Sequence, residues 1–572
     1  MKKLFALLLA VVMVLGLVAC AQPAKPTDPT KNTTAAPKPT EGDKNTTAGT
    51  TAQTSYFPLK EETTLTIAIN SANATRGLDE MAKHLAANVL MQELLEKTNV
   101  KIELTAWTPD TITAMFANDE MGDIVLCGGS GNDNLFNGFV GEGVIAALND
   151  YVDDPEVTPN IHATMWAECP EARATFTTPD GNLYVMGTYN MDRKAFVEGM
   201  LWVYKPWLDE WAANGGKTEI KDVKDYEAFM KYVCDNDMNG NGKDDEIGVY
   251  FGQGVNNGIE SFLGLYGLPT KDGTYENYVT LKDGTDEAMF IPQMDEWKDF
   301  IKLIGKWWQN GWISEGMFTD TWSNYQYQFN VNKTDTVQCA SGYWSNVNNH
   351  VEAANYIVIP PFKLGDADIR WYIHPGYMGS KTTWCVPAAS ENVELAVRFM
   401  DLFYDTEVAI RTQWGEADSP WRTTLADGTF YVNTVSNKLQ DQIYFTEDNT
   451  LSQVLNLPKP TTNGVNELKQ RTEAEDVAYA GYEMYKPYLN QTVWPRPYTP
   501  AEDQTRLTEL RTDIFNLVNE KRAEWITGKA DIDAEWDDFQ QDLLDAGIEE
   551  FLEIMQGAYD IWYENYSKAA GK

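Results

Sequence analysis

The sequence predicts an α/β protein built as two lobes, and three observations carry that prediction. The part able to fold, from about residue 56 to residue 572, is too long for a single hydrophobic core. Strand-like alternation and helical periodicity take turns along its first part. The apolar run GDIVLCGG at 122–129 ends in glycines, as a strand buried within a sheet does before its loop.

Taken in order, LTIAI at 65–69 alternates as a first strand, residues 79–97 read as one helix, and VKIEL at 100–104 reads as a second strand. The run at 122–129 follows as a buried strand. Ligands of such sheets sit beyond the carboxyl ends of the strands, which makes the loop GGSGND at 128–133 a candidate binding edge, with Asn132 and Asp133 as polar partners; a plain turn is the alternative. It is not a phosphate loop, since no G-K-[ST] follows. Further on, residues 391–415 place Val393, Ala396, Val397, Met400 and Tyr404 on one helical face. Near the end, Ile548, Leu552, Met555 and Tyr559 keep helical spacing, and Gly547 separates them from a preceding helix around Trp536, Phe539 and Leu543. Both stripes are read as core. The sequence shows no internal repeat.

The chain opens as a secretion signal. Lys2 and Lys3 precede an apolar run at 4–18, short for a membrane span, which stops at LVAC, 17–20. That tetrad looks like a bacterial lipobox, with cleavage after Ala19 and lipid on Cys20; an ordinary signal peptide is the alternative. Residues 21–55 contain no Val, Leu, Ile or Phe, so they cannot build a core and read as a flexible tether.

A net charge of −40 repels nucleic acid and anionic membrane surfaces and suits a neutral or cationic ligand. Beyond Cys20 the five cysteines, Cys127, Cys169, Cys234, Cys339 and Cys385, are widely spaced and odd in number, which reads as structural thiols without a disulfide framework or C-x-x-C metal site. His84, His162, His350 and His374 lack the spacing of a zinc hydrolase. There is no G-x-S-x-G and no H-E-x-x-H. The stretch CDNDMNGNGKDDEIGVYFG at 234–252 can be written as an EF-hand loop beginning at Asp235, with Asp237, Asn239 and Glu246 among its ligands; a solvated Asn/Asp/Gly turn is the alternative. A strand-like segment follows where a calcium sensor needs a helix, so a metal here reads as a staple.

The order of pieces resembles a known family. Lipobox, tether, first strand and helix are followed by GNLYVMGTYN (181–190), LWVYKPWLDEW (201–211), the Asp/Asn/Gly loop, GYWSN (342–346), HPGYMGSKTTWCVPAASENVELAVRFMDLFY (374–404) and WGEADSPWR (414–422). In this the chain resembles the extracellular solute-binding lipoproteins of carbohydrate ABC transporters of Gram-positive bacteria. The resemblance implies a periplasmic-binding-protein-like fold with a ligand cleft between two closing lobes and extra C-terminal helices. It implies lobe one at 56–188 and 375–440, and lobe two at 189–374 and 441–572. It also implies a monomer, lipid-anchored at the outer face of the cytoplasmic membrane, that delivers a carbohydrate, in particular an oligosaccharide, to a permease with its own ATPase and has no enzymatic activity. In similar proteins the metal loop reads D-x-N-x-N-G-K-x-D-E, which here starts at Asp237 and matches at every position. The implied calcium ligands are Asp237, Asn239, Asn241, Asp245 and Glu246 with the main-chain oxygen of Lys243.

Nineteen Trp and twenty-eight Tyr exceed what such a core needs, and several stand in polar surroundings, among them Trp371 and Tyr372. Sugar rings pack their C–H faces on aromatic rings and need paired donors and acceptors at their edges. Trp344 matches the family position whose aromatic stacks on the sugar and ranks first; Trp421, Tyr189 and Trp322 follow, with Arg422 as a further polar partner. A peptide-binding transport receptor, a secreted glycan-active enzyme and a stationary adhesin remain as alternatives.

Overall fold

A computed structural model describes residues 56–70, 78–128, 132–167, 169, 172–188, 199–243, 245–250, 260–270, 278–313, 315–318, 341–344, 355–371, 382–417, 422–424, 426, 430–432, 480–490 and 494–569. Residues 56–572 form one compact unit. The leader and tether, with Cys20, lie outside the described residues.

The strands in chain order are β1 (Thr63–Asn70), β2 (Val100–Trp107), β3 (Ile124–Leu126), β4 (Val185–Met186), β5 (Gly199–Tyr204), β6 (Val279–Leu281), β7 (Ala288–Phe290), β8 (Ser341–Trp344), β9 (Tyr356–Val358), β10 (Trp384–Cys385), β11 (Arg422–Thr424) and β12 (Phe430–Val432). The helices that position them are α1 (Leu78–Ala87), α2 (Val89–Thr98), α3 (Ile112–Ala117), α4 (Asp133–Asn137), α5 (Ala172–Phe176), α6 (Val223–Cys234), α7 (Asp295–Gln309), α8 (Val393–Asp401), α9 (Thr406–Trp414), α10 (Gln504–Thr527), α11 (Ile532–Asp545) and α12 (Ile548–Ala569).

A first core is organised by a five-stranded sheet of order β2-β1-β3-β10-β4. β1 pairs in parallel with β2, Thr63 opposite Val100, and with β3; β10 runs antiparallel to β3 and β4. The two-residue period divides the side chains between two faces. Leu65, Ile67, Ile69, Leu126 and Trp384 meet the apolar sides of α1, α2 and α8, whereas Ala68, Val125, Cys127, Val185 and Cys385 meet Ile112, Phe116 and Phe136. Cover on both faces is why 122–129 has no polar alternation.

Two expected helices are each interrupted, for one physical reason. Residues 79–97 are two helices because Asn88 adopts an extended backbone and its side-chain oxygen accepts from the Met91 amide at 3.0 Å. Residues 391–415 break in the same way: α8 gives way to a 3₁₀ turn, and Asp405 caps α9 by accepting from the Glu407 and Val408 amides, both at 3.0 Å. A short polar side chain inside an apolar stripe satisfies a new helix start better than a helix interior.

The α8 end also carries a buried carboxylate. Asp401 accepts from the backbone amides of Asn160 (3.1 Å) and Ile161 (2.8 Å) and from the Asn160 side chain (2.9 Å). Burial outweighs these donors and pushes its pKa up to about 6. A carboxyl group whose folded pKa is raised binds more protons in the folded than in the unfolded state between those two values, so its contribution falls as pH rises from about 4 to about 6. The stability of Asp401→Asn relative to the native chain should therefore improve over that interval, on the order of 2–3 kcal/mol, in urea titrations at pH 4 and pH 7. A constant difference would show that Asp401 does not titrate there.

A second core gathers residues of 200–371 and 485–559. β5 lies between β8 and β9, antiparallel to both, and β6 and β7 form a separate hairpin. The Trp297 ring of α7 stacks on Phe539 at 5.9 Å and meets Trp525 and Trp536, each at 6.2 Å, joining α7 to α10 and α11. Here lies an ion pair closed to solvent: Arg522 bonds Glu260 and, at 2.9 Å, the Tyr278 hydroxyl, which itself donates to Glu260 at 3.1 Å. Twelve of the fifteen tryptophans whose side chains are described are buried, from Trp107 to Trp536. The apparent surplus of tryptophan is therefore mostly core, and Trp371, read from the sequence as loop-like, is buried with its ring 4.8 Å from that of Tyr485.

The chain leaves the first core after β4 and returns before β10. A further link comes from α12. It packs in the second core through Ile548, Phe551 and Tyr559, and it also packs on α5, where the Trp562 indole nitrogen lies 3.5 Å from the Thr175 hydroxyl.

Candidate functional site

The pairing directions define an edge. Since β10 runs antiparallel to β3 and β4, its first residue lies where theirs end. The passages after β4 and before β10 therefore meet the first sheet at its carboxyl edge, which also carries the loop after β3. Asn132 stands there, half-buried, with its amide nitrogen donating to the Cys127 carbonyl at 2.7 Å, so it fastens the entry of α4 to the end of β3. The backbone of Asp133 begins α4; its side chain is outside what is described. Buried polar residues not singled out from the sequence sit at the same edge: Asn70 ends β1, Thr188 follows β4, and Thr382 and Thr383 precede β10. The Thr383 hydroxyl is buried without a hydrogen-bond partner. The sequence signal was the pair Thr382–Thr383 immediately before an apolar run.

On the second core's side, β5 begins directly after 189–198, and its first residue, Gly199, pairs with Trp344 at the end of β8. Trp202 pairs with Gly342, so one additional residue is accommodated in β5 between these points. Such bulges re-aim side chains and concentrate beside functional sites. Register thus puts Trp344 at the end of its sheet where the chain enters from the first core. Only the strands of Trp344 and Arg422, the latter in β11 opposite Val432 of β12, are described, and their side chains are not. Tyr189, Trp322 and Trp421 lie outside the described residues.

The Asp/Asn/Gly loop follows α6 and ends in an extended segment, where the Val249 amide donates to the Trp312 carbonyl at 2.9 Å. The described residues directly after the loop, 245–250, are extended where a calcium sensor would carry a helix. Asp237 accepts from the amides of Asn241 (3.0 Å) and Gly242 (2.8 Å). The Asn239 side chain accepts from the Asn241 amide at 3.0 Å, and that of Asn241 from the Lys243 amide at 2.8 Å. Asp245 receives the side-chain amides of Asn239 and Asn241 at 3.1–3.2 Å. Glu246 reaches back so that its Oε1 caps the amides of Met238 (2.9 Å) and Asn239 (3.1 Å). Gly242 turns the chain at φ +75°, a left-handed conformation that favours glycine.

Five expected ligands thus meet in one hydrogen-bonded loop. Lys243 contributes its place in the turn. Among the described residues no three His, Cys, Asp or Glu side chains cluster as a metal set, because amides alternate with the acids here. The fit to a hard cation rests on Glu246: only 8% exposed, it holds its Oε2 buried with no hydrogen-bond partner. An oxygen-seeking cation would neutralise that oxygen. Among the described residues no helix is long and apolar enough to cross a membrane.

The chain has the fold of the extracellular solute-binding proteins, as the motif order implied: it superposes on one from Bifidobacterium longum subsp. infantis with a TM-score of 0.71 at 19% identity, covering 88% of this chain and 98% of that one. In sequence it is 26% identical over 542 residues, 89% of this chain and 92% of the relative, to the fructooligosaccharide ABC transporter substrate-binding protein FusA of Streptococcus pneumoniae serotype 4. The structure of an EF-hand mutant of FusA in complex with fructo-nystose matches with a TM-score of 0.67 at 20% identity, covering 88% of this chain and all of that one. No family model matches the chain. These relatives are binding proteins, which accords with the lack of a recognisable catalytic motif.

Proposed function

We propose that the protein is the extracellular oligosaccharide receptor of an ABC importer, holding its sugar between a lobe of 56–188 and 375–440 and a lobe of 189–374 and 441–572. The observation that carries this reading is the match to FusA along nearly the whole of both chains. Two separate cores linked by a few passages of chain supply what closure needs: a ligand touching both sides contributes its full set of contacts only in the closed state. Trp344 is the stacking platform. Trp421, Tyr189 and Trp322 are further aromatic contacts, and Asn132, Asp133 and Arg422 serve the sugar hydroxyls. The receptor is a monomer without enzymatic activity and passes its cargo to a permease driven by a separate ATPase. Lipid on Cys20 keeps it at the membrane's outer face, so Cys20→Ser should release it into the medium; retention of that variant on cells would refute the anchor.

A thermal-shift screen of residues 56–572 against fructooligosaccharides, other oligosaccharides, monosaccharides and short peptides tests the assignment. Binding confined to the folded state stabilises by about 2.7 kcal/mol at a hundredfold excess over Kd. A shift with one oligosaccharide class is the expected result. Shifts with peptides alone would make this a peptide receptor, and slow consumption of a sugar without a shift would make it an enzyme.

We assign calcium to the loop, with Asp237, Asn239, Asn241, Asp245 and Glu246 and the Lys243 carbonyl as ligands; the buried, unpartnered oxygen of Glu246 supports this. Calcium should raise the melting temperature, chelator should reverse the rise, and Asp237→Ala with Glu246→Ala should abolish the difference. A melting curve indifferent to chelator would exclude the metal.

A further inference from the structure

The cysteine count gives no disulfide framework, yet the sheet brings two sulfurs together. Cys127 and Cys385 are separated by 258 positions, and their sulfur atoms lie 3.9 Å apart. Both are fully buried on the same face of the first sheet, among Val125, Val185, Phe116 and Phe136. The register explains the meeting: Cys385 pairs with Val125 and Trp384 with Leu126, and the Cys127 amide donates to the Thr383 carbonyl at 2.8 Å. Cys127 and Cys385 are therefore diagonal neighbours across two hydrogen-bonded strands, with side chains on one side. Among the other described cysteines, Cys169 belongs to the opposite face of that sheet and Cys234 packs against the second core.

We propose that Cys127 and Cys385 are a disulfide-forming pair, oxidised outside the cell as β10 docks beside β3. The sulfurs start in contact and must close to about 2.05 Å, and since diagonal neighbours stand about 7–8 Å apart at the backbone, the two strands must also draw together as the bond forms. The oxidant is an external disulfide, low-molecular-weight or carried by a thiol oxidoreductase. One cysteine thiolate attacks it and expels a thiolate, leaving a mixed disulfide. The second cysteine attacks the mixed disulfide and expels the other thiolate. Two electrons pass to the oxidant, and the two protons lost by the cysteines end on its thiols. Because both sulfurs are sealed in the folded sheet, exchange occurs during folding, and the finished bond resists reductant added afterwards. Extracellular proteins meet the oxidising conditions under which such bonds persist.

The bond would close a loop over residues 128–384, which contains the passages after β4 and before β10. It joins the strand that leads into the candidate binding loop to the strand that receives the returning chain. Linking them constrains the unfolded chain and holds the sheet edge together without occupying it.

The test is refolding of residues 56–572 in a buffer of reduced and oxidised glutathione, then alkylation in denaturant and peptide mapping with and without reductant. The expected result is a linked pair of peptides bearing Cys127 and Cys385, and a melting temperature several degrees above that of protein refolded in reductant. Cys385→Ala should remove that difference, whereas Cys169→Ala should retain it. Alkylation of both Cys127 and Cys385 after oxidative refolding to a cooperatively melting protein would overturn the proposal, as would linkage of either one to a different cysteine. The mapping needs no sugar, so its outcome is independent of the receptor assignment.

Discussion

Trp344→Ala should lower oligosaccharide affinity by at least about thirtyfold, equivalent to about 2 kcal/mol or more, the scale set by aromatic residues at the centre of a binding site. The argument joins sequence to register. The sequence places an aromatic residue in GYWSN, and the sheet pairs it with Gly199, the first residue of the strand that enters the second core. The extra residue in β5 next to this pair bends that strand and increases its local twist. An alanine there removes the flat surface for the sugar's C–H faces while leaving the ladder intact, so the melting temperature without ligand should hardly change. Trp344→Phe should retain part of the affinity. Calorimetric titration with the sugar identified by the screen checks the set. Unaltered affinity in the alanine variant would remove Trp344 from the site.

The second large effect concerns stability. Arg522→Met should destabilise the second core by about 3–5 kcal/mol, because it leaves a carboxylate and a phenol in a place made for a cation. Arg522 is 1% exposed and Glu260 not at all, so water cannot replace the lost partner. Burial works against the guanidinium charge, and Tyr278 and Glu260 more than offset it, holding the group charged. Burial likewise raises the Tyr278 pKa, which keeps the phenol protonated and able to donate to Glu260. Changing Glu260 to Gln together with Arg522 to Met should recover much of the loss, since the stranded charge is then gone. Urea unfolding followed through tryptophan fluorescence reports this directly, as Trp297 and Trp525 stand beside the network. A single variant within about 1 kcal/mol of the native chain would mean that Glu260 takes up a proton at little cost.

Legibility followed the range of the interactions. The strands around 65–69, 100–104 and 122–129 were visible because alternation and apolar runs are written locally, and the loop at 237–246 because its turns are closed by its own Asp, Asn and Gly. The breaks at Asn88 and Asp405 were missed although the caps are local, since each sits inside an otherwise continuous apolar stripe. The sheet of the second core could not be read: β5 and β8 are some 140 residues apart, and nothing in either announces the other. The same holds for the tryptophans, where composition pointed outward and packing drew most of them inward. Whether an aromatic in a polar stretch faces ligand or core depends on neighbours far along the chain.

The contact of α12 with α5 has a mechanical meaning. In the proposed receptor, the segments of chain that pass between the two cores are the pivot about which the opening angle would change. A helix packed on both cores away from those segments would act as a return spring. From Phe551 in the second core to Trp562 beside Thr175 the helix advances about 16 Å, a stiff rod that must bend or slide whenever the angle changes. The resting aperture of that receptor would then depend on the final helix, so residues remote from any sugar would tune how much binding energy is left for holding it.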